Sequence, residues 1–246
     1  YYNIRDFSIV DYTNGITDLR AGKIRLIGDV ETRYREDPVR MLRALRFVGK
    51  LGLELDEETE RLIPSLARLL SDIPAARLFD ESLKLYLSGN AAVTHELLCK
   101  YQVFEHLFPQ TDQFLHSEED TYPRTVLMNA LENTDDRIQE GKTITPAFLF
   151  AALLWEPVRR RWLENTERNI PLIPALQRAA SDVISEQVKR VAVPKRFTVV
   201  TNDIWMLQPR LEQRAGKRAF RLLTHPKFRA GYDFLLLRTE SGEQLT

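Results

Sequence analysis

The run Glu31-Thr32-Arg33-Tyr34-Arg35-Glu36-Asp37-Pro38-Val39-Arg40-Met41-Leu42-Arg43-Ala44-Leu45-Arg46-Phe47 decides how the rest of the chain is read. Asp37-Pro38 is a helix start. Asp satisfies free amides at the first turn, and Pro fits that turn because no hydrogen bond is lost there. Met41, Leu42, Leu45, Val48 and Leu51 then recur at steps of three and four, the period of a helix with one buried face. Gly49 and Gly52 mark its end.

Working outward from this helix, the downstream chain stays helical. Asp56 is expected to cap a second helix with Leu62, Leu66, Leu69 and Leu70 on its inner face. Pro74 opens a third, which carries Leu78, Phe79, Leu83, Leu85 and Leu87 until Gly89. Further helical patterns run over 91–101, 122–137, 146–155, 174–192, 199–214 and 216–223. Residues 109–121 and 156–173 read as loops. Upstream the character changes: Phe7, Ile9, Val10 and Tyr12 form a β-type run, Asn14-Gly15 is a turn signal, and Lys23-Ile24-Arg25-Leu26-Ile27 suits a second short strand. Two short strands do not fold alone. They are expected to belong to a sheet whose other strands lie outside this sequence. The fold class is therefore mainly α, a string of packed helices with a short β remnant at the front.

The chain has 246 residues, with 43% hydrophobic and 28% charged residues, which suits a folded globular protein. Cys99 is its single cysteine, so an intrachain disulfide and a thiolate zinc cluster are excluded. The longest uncharged run, Thr143 to Trp155, is 13 residues and too short to span a bilayer. No signal segment opens the chain, and a reducing cytoplasm is the expected compartment. The first residues are Tyr1-Tyr2-Asn3, without Met, which leaves room for sequence upstream.

The formal net charge of zero conceals a segregation. From Arg20 to Lys50 there are nine bases and four acids; from Glu54 to Asp136, 17 acids and six bases; from Lys189 to Arg238, 12 bases and three acids. Two basic ends around an acidic middle suit a polyanion held at defined places, although solvated helix faces would look the same.

Asp37 and Arg40, three apart at a helix start, share a face. A carboxylate accepts hydrogen bonds and a guanidinium donates them. Together they complement the pairing edge of adenine, where the amino group donates and N1 accepts. A helix cap with a local ion pair explains the same spacing. Arg33, Arg35, Arg43 and Arg46 suit phosphate, which Arg binds through two parallel hydrogen bonds, or a mixture of exposed charges and structural ion pairs. Arg77 and Glu81, four apart, either support that cluster or form a simple surface pair. In the tail, Lys195, Arg196, Arg214, Lys217, Arg218, Lys227 and Arg229 interleave with Trp205, Phe220, Phe228 and Tyr232. Such a pattern suits single-stranded RNA, although aromatic residues at helical spacing are usually core. His95, His106, His116 and His225 show no metal-ligand spacing. Asp6, Asp11 and Asp18 do not assemble into a metal site, and turn or cap roles suit them better.

The run VDYTNGITDLRAGKIRLIGDVETRYREDPVRMLRALRF, residues 10–47, resembles the region after the catalytic strands of the class II nucleotidyltransferases, which comprise bacterial poly(A) polymerases and tRNA CCA-adding enzymes. The Glu-Asp-x-x-Arg element of that superfamily falls on Glu36, Asp37 and Arg40. The resemblance implies that Asp37 and Arg40 contact the incoming base, with Arg33 and Arg43 among the nucleotide-binding residues. IPAARLFDESLKLYLSG, residues 73–89, is similar to the next shared motif and places Arg77 and Glu81 in supporting positions. PAFLFAALLWEP, VPKRFTVVTNDIWMLQPR and GKRAFRLLTHPKFRAGYDFLLLR, residues 146–157, 193–210 and 216–238, are similar to the poly(A) polymerase branch. The implied parent enzyme adds AMP from ATP to RNA 3′ ends, with Mg²⁺ held by a catalytic head upstream of Tyr1. The chain alone would then be inactive. It would comprise the end of the head (1–30), a helical neck for base recognition (31–90), a helical body (91–180) and a basic RNA-binding leg (181–246), as a monomer. A tRNA CCA-adding enzyme and a non-catalytic helical RNA-binding module are the alternatives.

Overall fold

The computed structural model describes residues 1–212 and 221–243, and helices dominate it. The first 13 residues are exposed and hold no strand. Tyr2 and Ile9 make an isolated antiparallel bridge. Phe7 interrupts the expected β run because its φ of 58° turns the chain back. Asn14, at φ 60°, does not close a hairpin; it precedes α1 (Gly15–Arg20). The strand expected from Lys23 shortens to β1 (Lys23–Ile24). Its partner lies within the chain: β1 pairs in parallel with β2 (Glu54–Leu55), Lys23 opposite Glu54 and Ile24 opposite Leu55.

Between these strands the basic run forms two helices, α2 (Val30–Glu36) and α3 (Val39–Leu51). Asp29 accepts from the Thr32 amide and starts α2. Pro38 then ends α2 by removing a donor, and it starts α3. Met41, Leu42 and Leu45 are fully buried, as their spacing predicts. Asp56 precedes the next helix without capping it through its side chain; its Oδ1 meets Arg25 Nη1 at 2.7 Å instead. Pro64 divides the expected single helix into α4 (Glu57–Arg61), α5 (Ile63–Leu66) and a 3₁₀ segment (Ala67–Asp72). Then follow α6 (Ala75–Tyr86) and α7 (Ala91–Lys100).

The rest of the chain wraps one apolar helix. After α8 (Pro109–Asp112) and α9 (Tyr122–Gln139) comes α10 (Pro146–Leu153), whose residues 149–153 are all buried. A helix apolar on all sides belongs in the centre of a core. Residues 156–173 are not a loop: α11 (Trp155–Glu167) fills most of the segment. Pro157 sits in its first turn, where proline costs no hydrogen bond. Trp155, Val158, Trp162 and Asn165 are buried at steps of three and four, the signal that the charged Glu156 and Arg159–Arg161 obscured.

The last three described helices are α12 (Leu172–Arg190), α13 (Lys195–Glu212) and α14 (Phe228–Glu240). α13 begins four residues before its apolar pattern does. Trp205 Nε1 donates to the Ala151 carbonyl at 3.1 Å and Thr201 Oγ1 to that of Ala147 at 2.9 Å, fixing α13 to α10. The helical pattern expected at 216–223 falls mostly outside the described residues.

α14 approaches α13 so closely that a Cβ on Gly231 would lie 2.7 Å from Leu207 Cδ1 and 3.1 Å from its Cβ. Beside this contact Arg238, 2% exposed, donates to Glu243 (2.7 and 2.8 Å), Glu212 (3.0 Å) and Gln208 (3.0 Å), with its guanidinium 4.6 Å from the centre of the Trp155 ring. Tyr122 also donates to Glu243. Burial pushes the Glu243 carboxyl up and the Arg238 bonds pull it down; the bonds win, and it lies below its ordinary value.

Two outcomes follow from this junction. Gly231→Ala should lower stability by about 1–3 kcal/mol in urea unfolding, because Leu207 must move. Glu243→Gln should cost about 2 kcal/mol at neutral pH. Its deficit against the unaltered chain should shrink as pH falls below the ordinary carboxyl range of 4.5, since a depressed carboxyl stabilises only while ionised. Unfolding at pH 7 and at acid pH checks both the deficit and its sign.

Candidate nucleotide-recognition site

The junction of α2 and α3 sets the geometry of the Glu-Asp-x-x-Arg element. Asp37 closes α2 in extended conformation, φ −149° and ψ 90°, so Glu36 remains on α2 while Arg40 rides on the first turn of α3. Glu36 Oε2 accepts from Arg33 Nη1 at 2.9 Å and from Arg40 Nη1 at 3.1 Å. Arg40 Nη1 also donates to the Arg33 carbonyl at 2.7 Å. These bonds fix one side of the Arg40 guanidinium. The Arg40 bond, with Arg33 nearby, holds the Glu36 carboxyl below its usual range, so the fork stays charged at neutral pH.

Asp37 is held from another direction. Its Oδ2 accepts from Arg77 Nη2 on α6 at 2.8 Å, and its Oδ1 accepts from the Val39 amide at 3.3 Å. Asp37 therefore makes a cap-type bond, and its ion pair is not local but reaches across the fold to α6. Arg40 bonds to Glu36 and Arg33. The two side chains are about one-fifth exposed, 21% for Asp37 and 22% for Arg40. An acceptor and a donor are thus anchored separately on adjoining turns.

The other predicted residues divide. Arg77 supports the element directly. Glu81 does not pair with Arg77; it is buried and accepts from Lys84 at 2.8 Å. Arg35 pairs with Glu31 at 2.7 Å. Arg43 is exposed on α3. Arg46 lies with its guanidinium 4.9 Å from the Phe47 ring centre, its Nε buried without a partner among the described residues. A cleft of about 570 Å³ opens at the other end of α2, lined in part by Lys23, Arg25, Gly28, Val30 and Glu58, without Asp37 or Arg40.

Among the described residues no group of three or more His, Cys, Asp or Glu is placed to hold a metal ion. Asp6 bonds Ser8 and Asp11 bonds the amides of Thr13 and Ile16, the turn and cap roles expected of them, whereas Asp18 pairs with Arg25 instead. These residues do not fit Mg²⁺. His95 is buried against Tyr86 and Phe104, and burial lowers its pKa to about 4, so it is a neutral core residue. Its neighbour Cys99 is pushed up by burial to about 12, the condition of an inert thiol.

In the basic tail, Lys195 and Arg196 are exposed at the start of α13, with the Arg196 guanidinium 4.8 Å from the Phe197 ring centre. Lys227 precedes α14, and Arg229 pairs with Asp233 at 2.9 Å. Gly231 meets α13 at Leu207, roughly 18 Å of helix beyond Lys195. Arg214, Lys217, Arg218 and Phe220 lie outside the described residues. Two bases of the tail are structural: Arg238, described above, and Arg190, which donates to the carbonyls of Ser71 and His106. Trp205 is core; Phe228 and Tyr232 are not. Sequence reading missed the Arg238 network because burial of an arginine leaves no mark on charge or spacing.

Two family profiles match the chain. Residues 52–115 match one described as a probable RNA- and SrmB-binding site of polymerase A, and residues 168–246 match the polymerase A arginine-rich C-terminus. The first falls within the acidic part of the chain. Poly(A) polymerase I of Escherichia coli is 48% identical over 245 residues, covering 98% of this chain and 52% of that protein. The Haemophilus influenzae enzyme is 45% identical over 241 residues, covering 98% and 53%. A CCA-adding enzyme of Leuconostoc mesenteroides is 37% identical over 102 residues, covering 42% of this chain and 25% of that one. The Thermotoga maritima CCA-adding enzyme complexed with tRNA shares the fold, with a TM-score of 0.62 at 17% identity over 98% of this chain and 53% of that one. Identity that runs through nearly the whole chain, together with the two profiles, places it in the bacterial poly(A) polymerase family, and it spans about half the length of the curated relatives it matches.

Proposed function

We propose that this chain is the base-selecting and RNA-holding part of a polynucleotide adenylyltransferase, an enzyme that transfers AMP from ATP to RNA 3′ ends and releases pyrophosphate. The observation that carries the reading is the separate anchoring of Asp37, by Arg77, and of Arg40, by Glu36 and the Arg33 carbonyl. A pair that bonded only itself would have no capacity left for a base. Here Asp37 would accept from the adenine amino group, and Arg40 would donate to N1. Guanine and uracil present the reverse pattern on that edge, a carbonyl acceptor beside an N–H donor, so the pair disfavours them; cytosine presents an amino donor beside a ring acceptor, as adenine does, and is not rejected by these two bonds.

Residues 31–90 then serve recognition, 91–180 form the supporting body, and 181–246 grip RNA, with 1–30 joining a catalytic head. Arg33 and Arg43 face the nucleotide in this reading. The metal-dependent step belongs to carboxylates outside this chain, as phosphoryl-type transfer needs charge neutralised at the triphosphate. Lys195, Arg196, Lys227 and Arg229, with Arg214, Lys217 and Arg218, contact phosphates. The setting is a cytoplasmic monomer acting on RNA; no described helix is long and apolar enough to cross a membrane.

In a full-length polymerase containing this sequence, Arg40→Ala should reduce the preference for ATP over GTP by about 5- to 150-fold, since one such contact discriminates by about 1–3 kcal/mol. Arg77→Ala should reduce it less, because Asp37 keeps the Val39 amide. Competition between labelled nucleotides measures both, and full ATP preference in the Arg40 variant would end the reading. Offered ATP, CTP and a tRNA lacking its CCA end, the enzyme should make long A tails; addition that stops after CCA would favour the tRNA-repair alternative.

A further inference from the structure

Among the described residues beyond Tyr12, Tyr232 is the one exposed aromatic side chain, at 40%. It is not isolated. The Phe228 ring lies one helical turn earlier on α14 and stacks on it, with centroids 5.8 Å apart and planes 15° from parallel. With one face of Tyr232 backed by Phe228, its exposed area falls on the other face and the edges. The large rings of the core, Trp155, Trp205, Phe150 and Phe234, are by contrast buried.

The surroundings are cationic. Lys227 and Arg229 flank Phe228, and Arg221 is exposed just upstream. Asp233, which pairs with Arg229, is the one acid between Arg221 and Arg238. Leu236 continues the stripe at the next turn and is 38% exposed. A flat ring, backed by a second ring and bordered by bases, has the chemistry of a nucleobase platform. Phosphates meet the cations while the base covers the ring. An aliphatic partner helix would need no such cations beside it.

We propose that Tyr232, supported by Phe228, is a stacking site for one unpaired base of the bound RNA, with Lys227 and Arg229 on the adjoining phosphates. This rests on the RNA-binding reading of the tail and adds a base contact to it. Stacking on a ring is tolerant of base identity, so the site holds the strand without reading its sequence.

The test compares a single-stranded oligo(A) with an abasic ribose-phosphate strand of equal charge, each bound to this chain across a salt series. Tyr232→Ala should weaken oligo(A) binding about 5- to 150-fold, the range for loss of one stacked base. The abasic strand should bind the variant and the unaltered chain alike, and the salt slope should not change, since no phosphate contact is removed. Tyr232→Phe should restore oligo(A) binding. A Tyr232→Ala chain that binds oligo(A) as well as the original would overturn the platform while leaving phosphate-led binding intact. Failure of the unaltered chain to bind either strand would overturn the RNA reading itself. A concentration-dependent dimer in sedimentation that Tyr232→Ala dissociates, with oligo(A) binding unchanged, would assign the stripe to a protein interface instead.

Discussion

The bond between Arg77 and Asp37 joins residues 40 apart in sequence, and it fixes the carboxylate of the Glu-Asp-x-x-Arg element. It ties α6 to the junction of α2 and α3, so the position of one carboxylate is set by the packing of three helices. Arg77 is on the first turn of a helix whose buried side carries Leu78, Phe79, Ser82 and Leu85. Shifting α6 against α3 would move Arg77 and release Asp37. In energetic terms a single partly exposed ion pair contributes little to stability. Its consequence is geometric: it keeps the Asp37 carboxylate away from Arg40, which has its own anchors in Glu36 and the Arg33 carbonyl.

This division of labour explains the density of charge in the run from Glu31 to Arg46. Arg35 with Glu31 is a surface pair, and Arg33 with Glu36 supports Arg40. Arg43 stays exposed, and Arg46 lies against Phe47. The cluster is thus a mixture of structural ion pairs, at Arg33 and Arg35, and exposed charge, at Arg43. The same holds for the tail, where Arg190 and Arg238 tie helices together while Lys195, Arg196 and Arg229 face solvent.

The helical fold was legible because periodic leucines and the Asp-Pro and Gly punctuation reflect burial and backbone freedom directly. α3 and α6 follow their leucines, and α10 follows its apolar run. The misreadings have physical reasons. α11 was hidden because its solvent face is crowded with arginines, and its Pro157 lies where a helix tolerates it. The β run at Phe7 failed because the chain turns back at that residue, leaving a single bridge between Tyr2 and Ile9 in place of a ladder. The pairing of β1 with β2 connects residues about 30 apart, beyond what local patterns encode. At the site, the spacing of Asp37 and Arg40 identified the pair, but only the fold shows that Arg77, and not Glu81, reaches it. The closeness of Phe228 and Tyr232 follows from their four-residue spacing, yet their exposure depends on which face α14 turns to α13, and Gly231 sets that face through its contact with Leu207.

The central claim is that Arg40, held by Glu36 and the Arg33 carbonyl, donates to N1 of adenine. Incorporation of 1-deaza-ATP, which lacks that acceptor, measures it most directly. A full-length polymerase containing this sequence should use the analogue with a kcat/KM lower than that for ATP by about 5- to 150-fold, and Arg40→Ala should bring the two nucleotides close to parity. Equal use of ATP and 1-deaza-ATP by the unaltered enzyme would contradict the account.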